Sequence, residues 1–129
     1  MSLLLDTHTF LWFINDDARL SRRAAAQIGD PSERVVVSVV SAWEITIKST
    51  IGKLMLDRAL DRLWPESIQA NSFDELDVMA RHIFALGTLP LHHRDPFDRL
   101  LIAQARAENL TIVSADSAFD AYDVPRLWE

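Results

Sequence analysis

Residues 34–52 read RVVVSVVSAWEITIKSTIG, and this stretch decides the fold class more firmly than any other part of the chain. Residues 34–39 are rich in β-branched side chains, which favour strands. Their apolar character is continuous and does not alternate, as is typical of a parallel strand covered on both faces. Residues 41–51 then predict a helix that ends at Gly52. The stretch therefore indicates a strand of a parallel sheet followed by its crossover helix.

The same alternation of strand and helix continues on both sides of this unit. LLLD at residues 3–6 predicts a short buried strand, which leads into an aromatic-rich helix over residues 7–14. Further predicted elements are helices over 21–28, 57–70 (bent or broken at Trp64-Pro65), 78–86, 96–109 and 117–121, with strands over 72–76, 111–114 and 124–128. We therefore expect one domain over residues 1–129, a three-layer α/β/α sandwich with a mainly parallel central sheet.

Composition excludes several classes of protein. The chain has no cysteine, which rules out thiolate metal sites, cysteine nucleophiles and disulfide scaffolds. No apolar run approaches the roughly 20 residues that span a bilayer, and no signal-peptide pattern opens the chain, so we expect a cytoplasmic protein with no membrane contact. The net charge of −6 arises entirely from residues 65–129. An acidic chain that acts on a polyanion needs a cation between them.

Carboxylates follow two of the predicted strands. Asp6 comes after strand 3–5, and Asp116 comes after strand 111–114. Ligands of parallel sheets bind at the carboxyl ends of the strands, so both residues are candidates for a site. Taken alone, each is equally explained as a turn or cap residue, because aspartate is common where strands end.

Glu44 is a charged residue on an apolar helix face. Its predicted neighbours on that face include Val40, Ile47 and Ile51. Burying a carboxylate is costly unless it is paired or bound to a metal. A structural explanation is an i,i+4 ion pair with Lys48, which suffices if this face is solvated. A buried face would favour a functional role.

Two more aspartates mark the start of the helix over 96–109. Asp95-Pro96 has the pattern of an N-cap followed by proline at the first helical position. Asp98 falls in the first turn, near the positive end of the helix dipole. The apolar face of this helix has to pack inward, which directs Asp98 towards the edge of the sheet. Asp95 is sufficiently explained as a cap.

Clustered carboxylates without cysteine form the hard-oxygen donor set that suits Mg²⁺ or Mn²⁺ rather than zinc.

His92 and His93 are adjacent and do not share a face, so they are interpreted as loop residues that contact substrate. No Walker A sequence, GxGxxG sequence or Gly-rich serine elbow is present.

Four blocks in order, LLLDTHTFLW, SAWEITIK, DPFDRLLIAQA and TIVSADSAFDAY, resemble the PIN-domain family, specifically the VapC-like toxins of bacterial toxin–antitoxin modules. The resemblance covers residues 3–128, and HHRDPFDRLLIAQA is its most specific part. It implies that Asp6, Glu44, Asp98 and Asp116 form the catalytic set. Asp6, Asp98 and Asp116 would be the metal ligands, and Thr7 and Ser114 would support the cluster. Asp95 is an additional acidic residue whose role the family pattern does not define.

The resemblance further implies a Mg²⁺- or Mn²⁺-dependent endoribonuclease that cuts single-stranded RNA. It also implies two protein partners: a cognate antitoxin that fills a groove near the first helices, and a second copy of the chain in a homodimer.

Two other functions stay open. One is a non-catalytic PIN-like module for protein binding. The other is a phosphatase with Asp6 as nucleophile, which is weakened because His8 stands where DxD phosphatases have a second acid.

Overall fold

A five-stranded sheet forms the centre of the molecule in the computed structural model, which describes residues 1–129. Its strands follow the order β3-β2-β1-β4-β5, and every neighbouring pair is parallel. The elements are β1 (Ser2–Leu5), α1 (Thr7–Ile14), α2 (Arg22–Ile28), β2 (Arg34–Ser38), α3 (Val39–Thr50), α4 (Leu60–Asn71), β3 (Asp74–Leu76), α5 (Ala80–Leu86), α6 (Pro96–Glu108), β4 (Thr111–Val113), a 3-10 helix (Ser117–Ala121) and β5 (Arg126–Leu127).

Helices cover both faces of this sheet, which confirms the three-layer α/β/α sandwich. Leu3 and Leu5 of β1 point to one face, where they pack in a core with residues of α1, α2, α3 and α4. Leu4 points to the other face, into a core formed largely with α6 and the segment after β4. All three leucines are fully buried. Because β1 is covered on both faces, its sequence is continuously apolar.

The connections after β1 and β2 are as short as the chain allows. Only Asp6 separates β1 from α1, and β2 passes directly into α3 at Ser38. The Ser38 side chain accepts a hydrogen bond from the N–H of Val40 and so caps α3. Helix α3 therefore begins two residues earlier than the sequence suggests. These short connections place the first residues of α1 and α3 side by side at the carboxyl edge of the sheet.

The helix predicted to be bent or broken at Trp64-Pro65 is not broken there. Helix α4 begins at Leu60, later than expected, and continues through Pro65 to Asn71. Proline removes the bond from its own nitrogen to the carbonyl of Asp61. Both residues are exposed, so the freed carbonyl lies on the solvated side, while Trp64 on the opposite side packs into the core. None of the helices combines the length and the apolar character needed to cross a membrane.

Candidate metal centre

Asp6 and Asp116 lie at the carboxyl ends of two neighbouring strands, β1 and β4. Each also caps the helix that follows it. Asp6 Oδ1 accepts from the N–H of Thr9 at 2.9 Å, and Asp116 Oδ1 accepts from the N–H of Ala118 at 2.9 Å. The N–H of Asp116 donates to Ser114 Oγ at 3.0 Å. The structure confirms the capping interpretation, and both side chains also lie at the sheet edge where a site is predicted.

Glu44 on α3 is buried, with 4% of its surface exposed. Thr7 Oγ1 donates to Glu44 Oε1 at 2.7 Å and lies 3.0 Å from Ser41 Oγ. Lys48 Nζ contacts Glu44 Oε2, forming the i,i+4 ion pair. The two explanations considered from the sequence therefore coexist: the carboxylate is buried, and lysine is its counter-ion. Ile47 and Ile51, expected on the same face, are instead exposed.

The start of α6 contributes the remaining two carboxylates. Asp95 Oδ1 accepts from the N–H groups of Phe97 and Asp98, at 2.9 and 3.1 Å, which confirms Asp95 as the helix cap. The Asp98 side chain is 20% exposed. Helix α6 packs against the sheet through a continuous buried stretch from Leu100 to Ala105, and this packing directs its first turn to the sheet edge.

These side chains line one cavity of about 190 Å³, which we call the acidic pocket. Its lining contains no hydrophobic residue and consists of Asp6, Thr7, His8, Glu44, Lys48, Asp95, Asp98 and Asp116. The structure thus brings together all four residues of the predicted catalytic set, together with Thr7 and Asp95. Ser114 lies behind the pocket and holds Asp116. His92 and His93 do not line the pocket.

Burial and mutual repulsion disturb the ionisation of the pocket. The pKa of Asp98 is raised to about 7, mainly by burial and then by the charges of Asp95, Asp6, Glu44 and Asp116. Burial also raises the pKa of Asp6, against the lowering effect of Ser114 and Thr9. The pKa of Lys48 is raised by its bond to Glu44, so this residue stays cationic. One lysine against five carboxylates leaves the pocket with a strong excess of negative charge.

The donor set fits a hard divalent cation. Carboxylate oxygens are the ligands that Mg²⁺ and Mn²⁺ prefer, and a cation would relieve the repulsion that raises the pKa of Asp98. No three of the acidic or histidine side chains are close enough together to form a ready-made chelating cluster. The carboxylates repel one another, so we expect the cluster to tighten only when a cation binds.

Lys48 and His8 are pocket residues that sequence reasoning did not assign to the site. From the sequence, Lys48 is expected only as a structural partner of Glu44, and His8 is noted only because it stands where DxD phosphatases have a second acid. Their spacing from the candidate carboxylates is the feature of the sequence that could have identified them. His8 is two residues after Asp6 on α1, and Lys48 is one helical turn after Glu44, so each follows a candidate carboxylate onto the same edge.

A second cavity, of about 370 Å³, adjoins the acidic pocket and shares Thr7, His8 and Lys48 with it. The rest of its lining is apolar except for one lysine, and consists of Leu11, Ile45, Leu54 and Lys53. We call this cavity the apolar groove. It lies between α1 and α3, beside the first helix as the sequence-based expectation for a partner groove requires.

Comparisons with known proteins identify the family and the fold of the chain. The model of the PIN domain family matches residues 3–125. No curated relative matches the chain in sequence. A chain of VapBC2 from Rickettsia felis, crystallised with a DNA fragment from the promoter, is similar in fold, with a TM-score of 0.74, 18% identity and 100% of each chain covered.

Two further structures show the same fold. A chain of FitAcB from Neisseria gonorrhoeae has a TM-score of 0.65 at 17% identity, with 97% of this chain and 96% of that one covered. A chain of VapBC-5 from Mycobacterium tuberculosis, described as a member of the VapBC family of toxin-antitoxin systems, has a TM-score of 0.61 at 19% identity, with 98% of each chain covered.

Proposed function

The chain belongs to the PIN-domain family, and from this premise we propose that it is a metal-dependent endoribonuclease, the toxin of a toxin–antitoxin module. The observation that carries the proposal is the acidic pocket, where Asp6, Glu44, Asp98 and Asp116 meet without a hydrophobic neighbour. The likeness in fold to VapBC chains supports the toxin assignment.

We assign Asp6, Asp98 and Asp116 to the binding of Mg²⁺ or Mn²⁺. When bound, such a cation neutralises phosphate charge and makes water a stronger nucleophile for phosphodiester hydrolysis. Asp6 and Asp116 are oriented by their capping bonds, which fix the two side chains before any ligand arrives. Ser114, which is fully buried, accepts from the backbone of Asp116 and supports that turn.

Glu44 is the least solvated of the four carboxylates, and we assign it to the reaction rather than to primary metal binding. Thr7 and Lys48 hold its two oxygens. Lys48 keeps its proton because Glu44 raises its pKa, so it offers a permanent positive charge at the mouth of the pocket. This charge, together with a bound cation, would allow an acidic chain to accept an RNA phosphate.

The test of this function is a cleavage assay on end-labelled single-stranded RNA with Mg²⁺, Mn²⁺ or EDTA. We expect cleavage that depends on metal, disappears in Asp6→Asn and Asp98→Asn, and persists in Asp123→Asn. Asp123 is exposed and does not line the pocket, and it controls for the loss of one surface charge. Cleavage in EDTA, or cleavage by folded Asp6→Asn, would refute the proposal. A folded protein without any cleavage would favour the non-catalytic protein-binding module.

We propose the apolar groove as the docking site of the cognate antitoxin. Leu11, Ile45 and Leu54 offer surface for apolar anchors, and the groove opens into the acidic pocket. An antitoxin arginine that reaches the carboxylates would compete with metal. Antitoxin affinity measured with and without saturating Mn²⁺, in the Glu44→Gln background, tests this competition. Unchanged affinity would mean that the antitoxin blocks RNA access from outside the pocket.

We also propose that the protein is a homodimer. Trp43, Ile47 and Ile51 form an exposed stripe along α3, with 51, 38 and 59% of their surfaces exposed. Apolar stripes of this kind on a helix are typical of surfaces covered by another chain. Sedimentation velocity is the direct measurement, and a strict monomer at high concentration would contradict this part of the proposal.

A further inference from the structure

His93 lies outside the lining of the acidic pocket, yet its ring is held against one of the pocket carboxylates. His93 Nε2 is 3.7 Å from Asp98 Oδ2. The nitrogen is buried and has no hydrogen-bond partner. Buried polar atoms are almost always hydrogen-bonded, so an unpartnered one that faces a carboxylate requires an explanation.

Tyr122 determines which nitrogen of His93 carries the proton. Tyr122 Oη lies 2.8 Å from His93 Nδ1. The same oxygen accepts from the N–H groups of His92 and His93, both at 3.3 Å, and from Arg99 Nη1 at 3.2 Å. Those three groups only donate, so the single hydroxyl proton is left for Nδ1. The neutral ring of His93 therefore carries its own proton on Nε2, the atom that faces Asp98.

The surroundings of this ring are fixed by packing and by a second bond of Arg99. Tyr122 is buried, and Arg99 Nη1 also donates to the carbonyl of Pro90 at 2.8 Å, which fastens the loop onto the first turn of α6. The rings of Phe119 and His93 make an edge-to-face contact at 6.2 Å. The direction of the Nε2–H bond is thus set by a well-packed framework beside Asp98.

We propose that His93 is a positioning residue for Asp98. Its Nε2–H donates to Asp98 Oδ2 when the pocket takes up a cation, which limits the rotation of the carboxylate and leaves its other lone pairs for the metal. The inference rests on the proposed function, because it concerns how a metal-binding carboxylate is oriented. Hydrogen-bond partners behind metal ligands are worth about 10–100-fold in affinity.

The experiment measures Mn²⁺ affinity by electron paramagnetic resonance, which needs no catalytic turnover. We expect His93→Leu to raise the Kd about 10–100-fold. His93→Gln, which keeps an N–H donor at similar reach, should stay close to wild type. The matched control is His92→Leu, because the His92 ring packs edge-on against Tyr122 at 4.9 Å and makes no contact with Asp98. It should bind Mn²⁺ as wild type does.

Tyr122→Phe provides a second variant that keeps the ring packing should His93→Leu fail to fold. It removes the proton that Nδ1 accepts, so it should weaken Mn²⁺ binding in the same direction. In metal-free wild type at mildly alkaline pH, ¹⁵N spectra should show the His93 proton on Nε2. Wild-type affinity in folded His93→Leu or Tyr122→Phe, no rescue by glutamine, or a proton on Nδ1 would overturn the inference. Folded wild type that binds no Mn²⁺ would instead overturn the metal-dependent function, and this inference with it.

Discussion

Replacing Asp98 with asparagine should stabilise the metal-free protein at neutral and alkaline pH. The pKa of Asp98 is about 7 in the folded protein, because of burial and four neighbouring carboxylates, against 3.8 for the ordinary group. Each pKa unit corresponds to about 1.4 kcal/mol, so ionised Asp98 costs about 4 kcal/mol of folding free energy above pH 7. Asparagine avoids this cost but loses a favourable charge at the helix N-terminus, worth about 0.3–1 kcal/mol. We expect a net gain of about 3–4 kcal/mol.

The sign of the pH dependence follows from which state binds more protons. Between about pH 4 and 7 the unfolded chain has lost the Asp98 proton while the folded protein retains it. The contribution of Asp98 to stability is therefore complete below pH 4, falls as pH rises to 7, and stays constant above 7. The advantage of Asp98→Asn should accordingly be absent near pH 4 and fully developed near pH 8.

Urea unfolding followed by tryptophan fluorescence, in EDTA, measures this difference. Carboxylates such as Asp17 and Asp120, whose pKa is lowered by hydrogen bonds from arginine, affect both proteins equally and cancel. Asp123→Asn, an exposed substitution, should leave stability unchanged at both pH values. An equal effect of Asp98→Asn at both pH values, or no gain near pH 8, would refute the reasoning, because ionisation of Asp98 would then not be the cause.

Three further predictions follow from the same contacts. Asp95→Ala should lower the free energy of unfolding by about 0.5–2 kcal/mol because it removes the cap of α6, whereas Asp95→Ser should retain stability and activity. Urea unfolding measures the stability of both variants, and cleavage assays measure their activity. A serine variant that folds but does not cleave would place Asp95 in the metal or substrate shell. Thr7→Val should destabilise the protein by about 1–3 kcal/mol, because Glu44 Oε1 loses its hydrogen-bond donor. Thermal unfolding measures this change, and unchanged stability would show that water replaces the hydroxyl. Mn²⁺ affinity, measured by calorimetry, should fall about tenfold for each pH unit below 7 as Asp98 is protonated; a flat profile would remove Asp98 from the ligand set.

The fold was largely predictable from the sequence because its strands are marked by continuous apolar runs. The parallel sheet and the helices before and after β2 agree with the prediction. Helix α4 was harder to delimit, since proline removes only one backbone bond and the core contact of Trp64 outweighs that loss. The last strand is shorter than expected, Arg126–Leu127, because only two of its residues pair with β4.

The acidic residues of the pocket were predictable from the sequence, whereas its two basic residues, His8 and Lys48, and its internal contacts were not. Strand ends and a helix start were enough to place Asp6, Asp98 and Asp116 on one edge, whereas their roles as metal ligands stay a prediction. The sequence offered burial of Glu44 and its pairing with Lys48 as alternatives, because side-chain reach is not visible in spacing alone. The bonds around His93 depend on Tyr122, which lies far along the chain, so no local pattern reveals them.

The position of β1 in the sheet determines the order in which the sheet can assemble during synthesis. Leu3 pairs with Val35 on one side, and on the other with Thr111, near the end of the chain. In a nascent chain, β1 can therefore pair with β2 early, whereas its pairing with β4 has to follow the synthesis of β4. Asp116 can join Asp6 only after that step. The proposed metal site thus gains its last carboxylate only after most of the domain has been synthesised.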